Sequence, residues 1–144
     1  MRLLPIRGSD SFGSGAFNAP RGERVHHGID LSCYPGTRFT MRLAGIDEPG
    51  IVTKLGYPYE DNPRTEYNEM ELRYIQISTP QGIDLRFFYI KPMVQCNDFV
   101  TIDTVLGITQ SLQPVYNGIT NHVHFEVKHG AAYLDPTRYI DSHS

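Results

Sequence analysis

The sequence predicts an all-β fold, formed by a single compact domain around a mostly antiparallel sheet. Short runs rich in β-branched and aromatic residues recur along the 144 residues, and glycine and proline separate them. No stretch shows helical periodicity over a useful length. A chain of this size is most simply one domain over residues 1–144, with residues 1–24 as an extended N-terminal arm or loop.

The predicted strands are runs in which apolar residues alternate with polar ones or cluster between turn signals. Near the end of the chain, Pro136 to Asp141 is predicted to form at most one short helical turn, with Asp135 as its N-cap. The strands are expected at Thr37–Leu43, Gly50–Gly56, Leu72–Ile77, Ile83–Ile90, Phe99–Ile108 and Asn121–Lys128.

Two polar stretches, Ser9 to Arg24 and Tyr57 to Asn68, are predicted as long loops because turn-forming residues dominate them. Loops of this length in a small domain are commonly functional rims or disordered segments. Their aromatic residues could line a groove for an extended substrate. The alternative is a solvated loop with incidental tyrosines.

Composition and charge exclude several classes of partner. The formal net charge is -3 and the basic residues are scattered, so nucleic acid is not expected. No apolar run approaches the roughly 20 residues that span a bilayer, and the first residues are too short for a signal peptide. We therefore expect a trimmed leader or another route of export. Two free buried thiols at Cys33 and Cys96 are favoured over one disulfide.

Two histidine motifs, 26–30 (HHGID) and 122–126 (HVHFE), lie near opposite ends of the sequence. A catalytic zinc usually takes three protein ligands and leaves its fourth position to water or substrate. Residues two apart on a strand point the same way, so His122 and His124 share a face. Gly28 argues against a helix, so a turn is expected to bring His26 and Asp30 to one end of the sheet. Two histidines and a carboxylate suit zinc, but iron(II) favours the same set.

These motifs resemble those of the lysostaphin/LytM-type zinc endopeptidases, which cut peptide crosslinks in bacterial cell walls. By this resemblance His26, Asp30 and His124 would hold one Zn²⁺ ion, His122 would be the catalytic histidine, and His27 would be a bystander. The implied substrate is a peptidoglycan peptide in an open groove over the zinc site. The matching stretches are 12–13 (FG), 20–22 (PRG), 26–31 (HHGIDL), 35–37 (PGT), 89–90 (YI), 98–107, 122–127 (HVHFEV) and 134–139 (LDPTRY).

One departure concerns the second catalytic histidine, which the family places after an aromatic strand. The stretch 88–92 is FYIKP, and Lys91 is assigned to that histidine's position. This stretch resembles the leukocyte chemotaxin branch, which is regarded as lacking peptidase activity, and phage proteins can carry the variant too. A protonated lysine could stabilise a developing oxyanion as a donor. The alternative is that Lys91 points to solvent and the site is silent.

The predicted function is therefore zinc-dependent hydrolysis of peptide bonds in peptidoglycan. The alternative is a catalytically weak or silent zinc-containing binding or structural module of the same fold. Glu126 shares a strand face with His122 and His124, where it could orient one of them or be only a surface charge. Action in the cell wall or periplasm would require lysis, a phage particle or another delivery partner.

Overall fold

The computed structural model describes residues 3–8, 13–21, 24–58, 72–114 and 118–143. Over these ranges the chain is a mostly antiparallel all-β fold, which confirms the predicted class. The strands, in chain order, are β1 (Pro20–Arg21), β2 (Arg24–Val25), β3 (Ile29–Ser32), β4 (Arg38–Phe39), β5 (Gly50–Gly56), β6 (Tyr74–Ser78), β7 (Asp84–Phe88), β8 (Ile90–Pro92), β9 (Phe99–Val100), β10 (Gly107–Thr109), β11 (His122–His129) and β12 (Ala132–Leu134).

The main sheet has seven strands, in the order β12-β11-β7-β6-β5-β9, and β3 also pairs with β11. Strands β3 and β12 lie beside the first and second halves of β11, while β7 runs along its other edge. The register places Asp30 opposite His124 on one side and Phe88 opposite His124 on the other. Strand β11 is therefore the element against which the site is assembled.

One face of the main sheet forms the hydrophobic core. Val123, Phe125 and Val127 of β11 point into it, and the Phe125 ring stacks on Phe87 at 4.8 Å between centroids. Phe39 of the smaller β4-β10-β8 sheet packs against the same ring of Phe87 at 5.3 Å. The alternate residues of β11 consequently lie on the opposite face, which carries the histidines.

The C-terminal helix begins where the sequence predicts and is longer than one turn. Helix α1 spans Pro136–His143, and its N-terminal Thr137 amide donates to Oδ1 of Asp135 at 3.0 Å. Asp135 therefore caps the helix as predicted. None of the helices in the described part of the chain has the length and apolar character needed to cross a membrane.

The strand predicted at Thr37–Leu43 is wrong beyond Phe39. Met41–Ala44 form a 3₁₀ helix that ends at Gly45, whose left-handed backbone (φ 87°) lets its amide bond back to Met41 and Arg42. Phe39 and Met41 are both buried, as alternation requires, but a period of two over so few residues does not distinguish a strand from a tight turn.

Two other predicted strands are interrupted. The strand Phe99–Ile108 ends at Val100, because Thr101 and Thr104 form a turn in which the Thr101 amide donates to the Thr104 hydroxyl at 2.9 Å. The strand Ile83–Ile90 breaks at Tyr89, whose φ of 75° separates β7 from β8. A non-glycine residue at positive φ is uncommon, and no sequence pattern announces it.

The predicted loops are only partly described. Strand β1 lies within the stretch Ser9 to Arg24 and pairs with β2, so part of the predicted loop is a strand. Beyond Pro58, the loop predicted from Tyr57 to Asn68 lies outside the described residues. Both cysteines are free, as predicted, but only Cys33 is buried and Cys96 is exposed.

Candidate metal centre

Three side chains from the two histidine motifs converge at the junction of β3 and β11. Nε2 of His26 lies 2.9 Å from Nδ1 of His124 and 3.0 Å from Oδ1 of Asp30. The same Oδ1 lies 2.9 Å from Nδ1 of His124. Two imidazoles and one carboxylate oxygen therefore face a common point, and this group could hold a metal ion.

The donor set fits a tetrahedral metal ion. Donor atoms about 2.0–2.1 Å from a tetrahedral zinc ion lie roughly 3.3 Å apart. The three separations between His26, Asp30 and His124 are 2.9–3.0 Å, so small side-chain shifts would accommodate an ion. These three ligands leave a fourth position for water or a substrate atom.

Each histidine is oriented by a contact from its other ring nitrogen. Nδ1 of His26 lies 2.9 Å from the carbonyl oxygen of Ala16, so this nitrogen donates and Nε2 keeps its lone pair. Nε2 of His124 donates to Oε2 of Glu126 at 2.9 Å, which directs Nδ1 towards Asp30 and His26. Metal-binding histidines are typically held in this way by a carbonyl or carboxylate partner.

Gly28 explains how the first motif approaches the second. A Cβ at this position would lie 2.2 Å from the backbone oxygen of Phe125 and 3.0 Å from its carbonyl carbon. Only glycine therefore permits the turn before β3 to lie directly against β11. The close approach brings His26 and Asp30 to His124, although His26 and His124 are separated by 98 positions in the sequence.

His122 lies beside this group on the same face of β11. Its Nδ1 donates to the carbonyl oxygen of Thr120 at 2.7 Å, so Nε2 keeps the lone pair, 3.5 Å from Oδ2 of Asp30. Burial lowers the pKa of His122 and outweighs the attraction of Asp30. The ring is therefore a neutral imidazole whose unprotonated nitrogen faces the site.

The charges of the group depend strongly on one another. Burial opposes ionisation of Asp30, but the hydrogen bond from His124, together with the adjacent His26 and His122 rings, outweighs it and holds the pKa of the carboxyl well below its usual range. Burial also opposes the charged form of His124, yet hydrogen bonds to Asp30 and Glu126 raise the pKa of His124 to about 9. The pKa of Glu126 is lowered because its bond to His124 outweighs its burial.

Two residues of the site have no role that the sequence predicts. Arg7 is buried and donates to Oδ2 of Asp30, and a lone arginine outside a motif carries no pattern that would have revealed it. Tyr89 lies edge-on to His122 with ring centroids 5.6 Å apart. Its left-handed backbone turns the side chain towards His122, which strict strand alternation does not predict.

The other residues singled out in the sequence lie around this group. Glu126 orients His124, as one of its two interpretations anticipated. His27 is exposed and stacks on Tyr133 at 4.2 Å, away from the metal-ligand group. Lys91 is exposed in β8 opposite Ile108, and among the described residues no hydrogen bond or ion pair joins it to the histidines. Its catalytic role therefore stays a prediction.

Comparisons with solved structures place the fold. The chain matches the antimicrobial peptidase lysostaphin from Staphylococcus simulans with a TM-score of 0.63 at 16% identity, covering 100% of this chain and 55% of that one. It matches the catalytic domain of the prophage-encoded M23 protein EnpA from Enterococcus faecalis with a TM-score of 0.59 at 16% identity, covering 95% and 97%. The fold is that of the lysostaphin-type, or M23, peptidase domains. The chain corresponds to about half of the lysostaphin chain.

Sequence comparison shows the family to which the chain belongs. No protein-family model matches the chain. Leukocyte cell-derived chemotaxin-2 of Mus musculus is 31% identical over 139 residues, covering 94% of this chain and 79% of the mouse protein. The chain belongs to the lysostaphin/LytM-type family, in the branch that includes leukocyte cell-derived chemotaxin-2. The resemblance predicted from the motifs is thereby confirmed.

Proposed function

We propose that this chain is a zinc-dependent metalloendopeptidase domain that hydrolyses peptide bonds in bacterial cell-wall peptidoglycan. One observation above all supports it: the ligand atoms of His26, Asp30 and His124 lie 2.9–3.0 Å from one another. Such a group with an open fourth position is the arrangement of a catalytic rather than a structural zinc site. The peptidase fold of the solved relatives agrees with it.

The protein's part in the chemistry begins with the ligands. Zinc bound there would polarise the scissile carbonyl and activate water as a nucleophile. His26 and His124 would bind through the nitrogens that their contacts with Ala16 and Glu126 leave towards the ion. Because these contacts fix the ring orientations in advance, little reorganisation is needed when the ion and the substrate bind.

His122 is the proposed catalytic base. Its Nε2 keeps a lone pair directed at the site, since Nδ1 donates to Thr120. A group of this kind can take the proton of an attacking water and return it to the leaving amine. We propose Lys91 as an electrostatic contact to the oxyanion. Because Lys91 is exposed in β8, its side chain would have to turn towards the site to make this contact.

The sheet face beside the ligands offers a surface for an extended peptide. Phe88 is opposite His124 in the register, is half-buried, and its ring lies edge-on to His124 with centroids 5.0 Å apart. The Tyr74 ring stacks on the other side of Phe88 at 5.0 Å. A peptide along this face would contact the half-buried Phe88 ring, which the buried Tyr74 ring supports, while one carbonyl reached the metal site.

Digestion of purified peptidoglycan tests the proposal. The zinc-loaded protein should release new amino termini, and activity should disappear on chelation and return on addition of Zn²⁺. Replacement of His26 by alanine should remove both bound zinc and activity, whereas alanine at the exposed His129 should affect neither. Hydrolysis that persists after complete removal of the metal would refute the mechanism.

A second function is favoured by the surroundings of His122. The stretch 88–92 (FYIKP) provides no second histidine; Tyr89 contacts His122, and Lys91 is exposed. The chain would then be a zinc-containing binding or structural module that recognises a wall fragment or a protein. Tight zinc and ligand binding without turnover, even at high protein concentration, would identify this function. A phage particle or other delivery partner remains a prediction under either function.

A further inference from the structure

We propose that Arg7 is a positioning residue for the metal, because it holds one oxygen of Asp30 and thereby restricts this carboxylate to a single ligand atom. The inference rests on the proposed metal centre and names a residue outside its ligand group. The two oxygens of Asp30 have different partners. Oδ1 faces Nε2 of His26 at 3.0 Å and Nδ1 of His124 at 2.9 Å, whereas Oδ2 faces Arg7.

The guanidinium of Arg7 donates two hydrogen bonds to Oδ2 of Asp30. Nε of Arg7 lies 3.2 Å and Nη2 lies 3.0 Å from this oxygen. The third arm, Nη1, donates to the carbonyl oxygen of Gly13 at 2.8 Å, which fixes the plane of the group. Hydrogen bonds between buried charged groups are stronger than hydrogen bonds between neutral groups. The planar guanidinium also fixes the directions of its donors, which adds geometric specificity.

The backbone holds Arg7 and Asp30 together as well. The Arg7 amide donates to the Asp30 carbonyl at 2.6 Å, the Gly15 amide donates to the Arg7 carbonyl at 3.0 Å, and the Asp30 amide donates to the Gly15 carbonyl at 2.8 Å. A Cβ on Gly15 would lie 2.7 Å from Cβ of Arg7 and 3.0 Å from Cβ of Asp30. Gly15 therefore permits a packing that brings the two side chains together.

The ion pair between Arg7 and Asp30 is buried, so its loss would not be compensated by water. The side chains of Arg7 and Asp30 are only 2% and 3% exposed, so water cannot readily replace the guanidinium on Oδ2. A carboxylate released from Arg7 could rotate and offer both oxygens to the ion. The coordination number would then rise from four to five, and the position intended for water or substrate would be crowded.

Zn²⁺ affinity of the full chain, measured by competition with a chromogenic chelator, tests this role. Arg7→Lys keeps the positive charge but loses the fork, and Arg7→Gln loses both. If Arg7 positions Asp30, each variant should raise the Kd for Zn²⁺ about 10–100-fold. If Arg7 acted only through its charge, Arg7→Gln should bind the cation more tightly and Arg7→Lys should match the wild type. That second pattern would overturn the proposal.

A control is available at Arg42, whose Nε and Nη2 donate to Oδ1 and Oδ2 of Asp103 at 2.7 Å and 2.8 Å in an ion pair on the surface. Arg42→Gln should leave zinc affinity unchanged. Failure of the wild type itself to bind Zn²⁺ would overturn the proposed function together with this inference. Normal binding by the wild type and by both folded Arg7 variants would overturn this inference alone.

Two further measurements separate positioning from general stability. In Co²⁺-substituted protein, loss of Arg7 should weaken the visible absorption band, as expected when a four-coordinate ion becomes five-coordinate. The structure of the Zn²⁺-loaded wild-type protein tests the same role without depending on the folding of a variant. It should show Oδ1 alone on the ion and Oδ2 still on Arg7, and a bidentate Asp30 there would overturn the proposal.

Discussion

Nε2 of His124 lies 2.9 Å from Oε2 of Glu126, two residues further along the same face of strand β11. One strand thus supplies both a proposed metal ligand and the carboxylate that orients it. The second oxygen of Glu126 is buried and lies 3.6 Å from Nη1 of Arg86, too far for a hydrogen bond. The carboxylate is therefore held mainly by His124.

Glu126→Gln should weaken zinc binding about tenfold. A neutral amide would hold the His124 ring less firmly than the carboxylate does, and the ring would be a weaker electron-pair donor to the metal. The measurement is the Kd for Zn²⁺ by chelator competition. Glu48→Gln is the control, since Glu48 accepts a hydrogen bond from Tyr139 of α1 rather than from a ligand. Equal zinc affinity of Glu126→Gln and wild type would contradict the assigned role.

His122→Ala should reduce kcat on peptidoglycan about 10²–10⁴-fold while zinc content stays at one ion per chain, because His122 is outside the ligand group. Metal analysis and release of amino termini should be measured on the same sample. His129→Ala, at the exposed end of β11, is the matched control. Loss of zinc from His122→Ala would instead make His122 a ligand.

A histidine at position 89 should raise activity more than one at position 91. Tyr89 contacts the His122 ring, whereas Lys91 is exposed in β8, so only Tyr89→His would bring a second imidazole against the first. Histidine also tolerates the φ of 75° at this position better than most residues do. The expected gain is about tenfold, less than the roughly 10²–10⁴-fold that a well-positioned acid–base group contributes.

Initial rates of Tyr89→His, Lys91→His and the ring-preserving Tyr89→Phe should be compared at equal zinc content. Tyr89→Phe should show no gain. A larger gain from Lys91→His would support the sequence-based assignment of Lys91 to the histidine's position. A gain from neither histidine variant would favour the binding or structural module over the enzyme.

Gly28→Ala should destabilise the protein by at least about 2 kcal/mol and weaken zinc binding, because the added Cβ would meet the Phe125 carbonyl at 2.2 Å. Relief requires the turn before β3 to move away from β11, which separates the ligands. Denaturant unfolding with and without Zn²⁺ measures both effects. Gly8→Ala has open space around its Cβ and should be near neutral.

The metal-free protein should become less stable as pH rises from 6.5 to about 9. The pKa of His124 is raised from 6.5 to about 9, so its contribution is complete below 6.5 and disappears as the folded state loses that proton. Zinc binding should show the opposite trend, since the ion must displace the same proton. Melting temperatures in chelator and in Zn²⁺ across this range check both signs; a flat metal-free profile would contradict them.

The alternation of apolar and polar residues was the basis for much of the strand prediction. Strand β5 has the predicted bounds, and β11 lies within one residue of its predicted ends, because both show sustained alternation or β-branched clusters. The shared face of His122 and His124 followed from the same period. The convergence of His26, Asp30 and His124 agrees with what the family resemblance implied, and their role as ligands stays a proposal.

The remaining features depend on contacts that no local pattern encodes. Arg7 reaches Asp30 across 23 positions, and the burial of its guanidinium is not encoded by any residue pattern around it. The left-handed backbone at Tyr89 depends on tertiary packing, including the bond from its amide to the Arg73 carbonyl at 2.6 Å. The turn at Thr101–Thr104 is set by side-chain bonds that compete with strand pairing.

The 98 positions between His26 and His124 give the proposed ion a second consequence. A metal shared by these two residues would tie most of the chain into one loop and act as a reversible crosslink, without a covalent bond. Dissociation of the ion would release that constraint, leaving the strand pairing and the hydrophobic core to resist unfolding. The amount of intact protein in its natural setting would then follow the local supply of zinc.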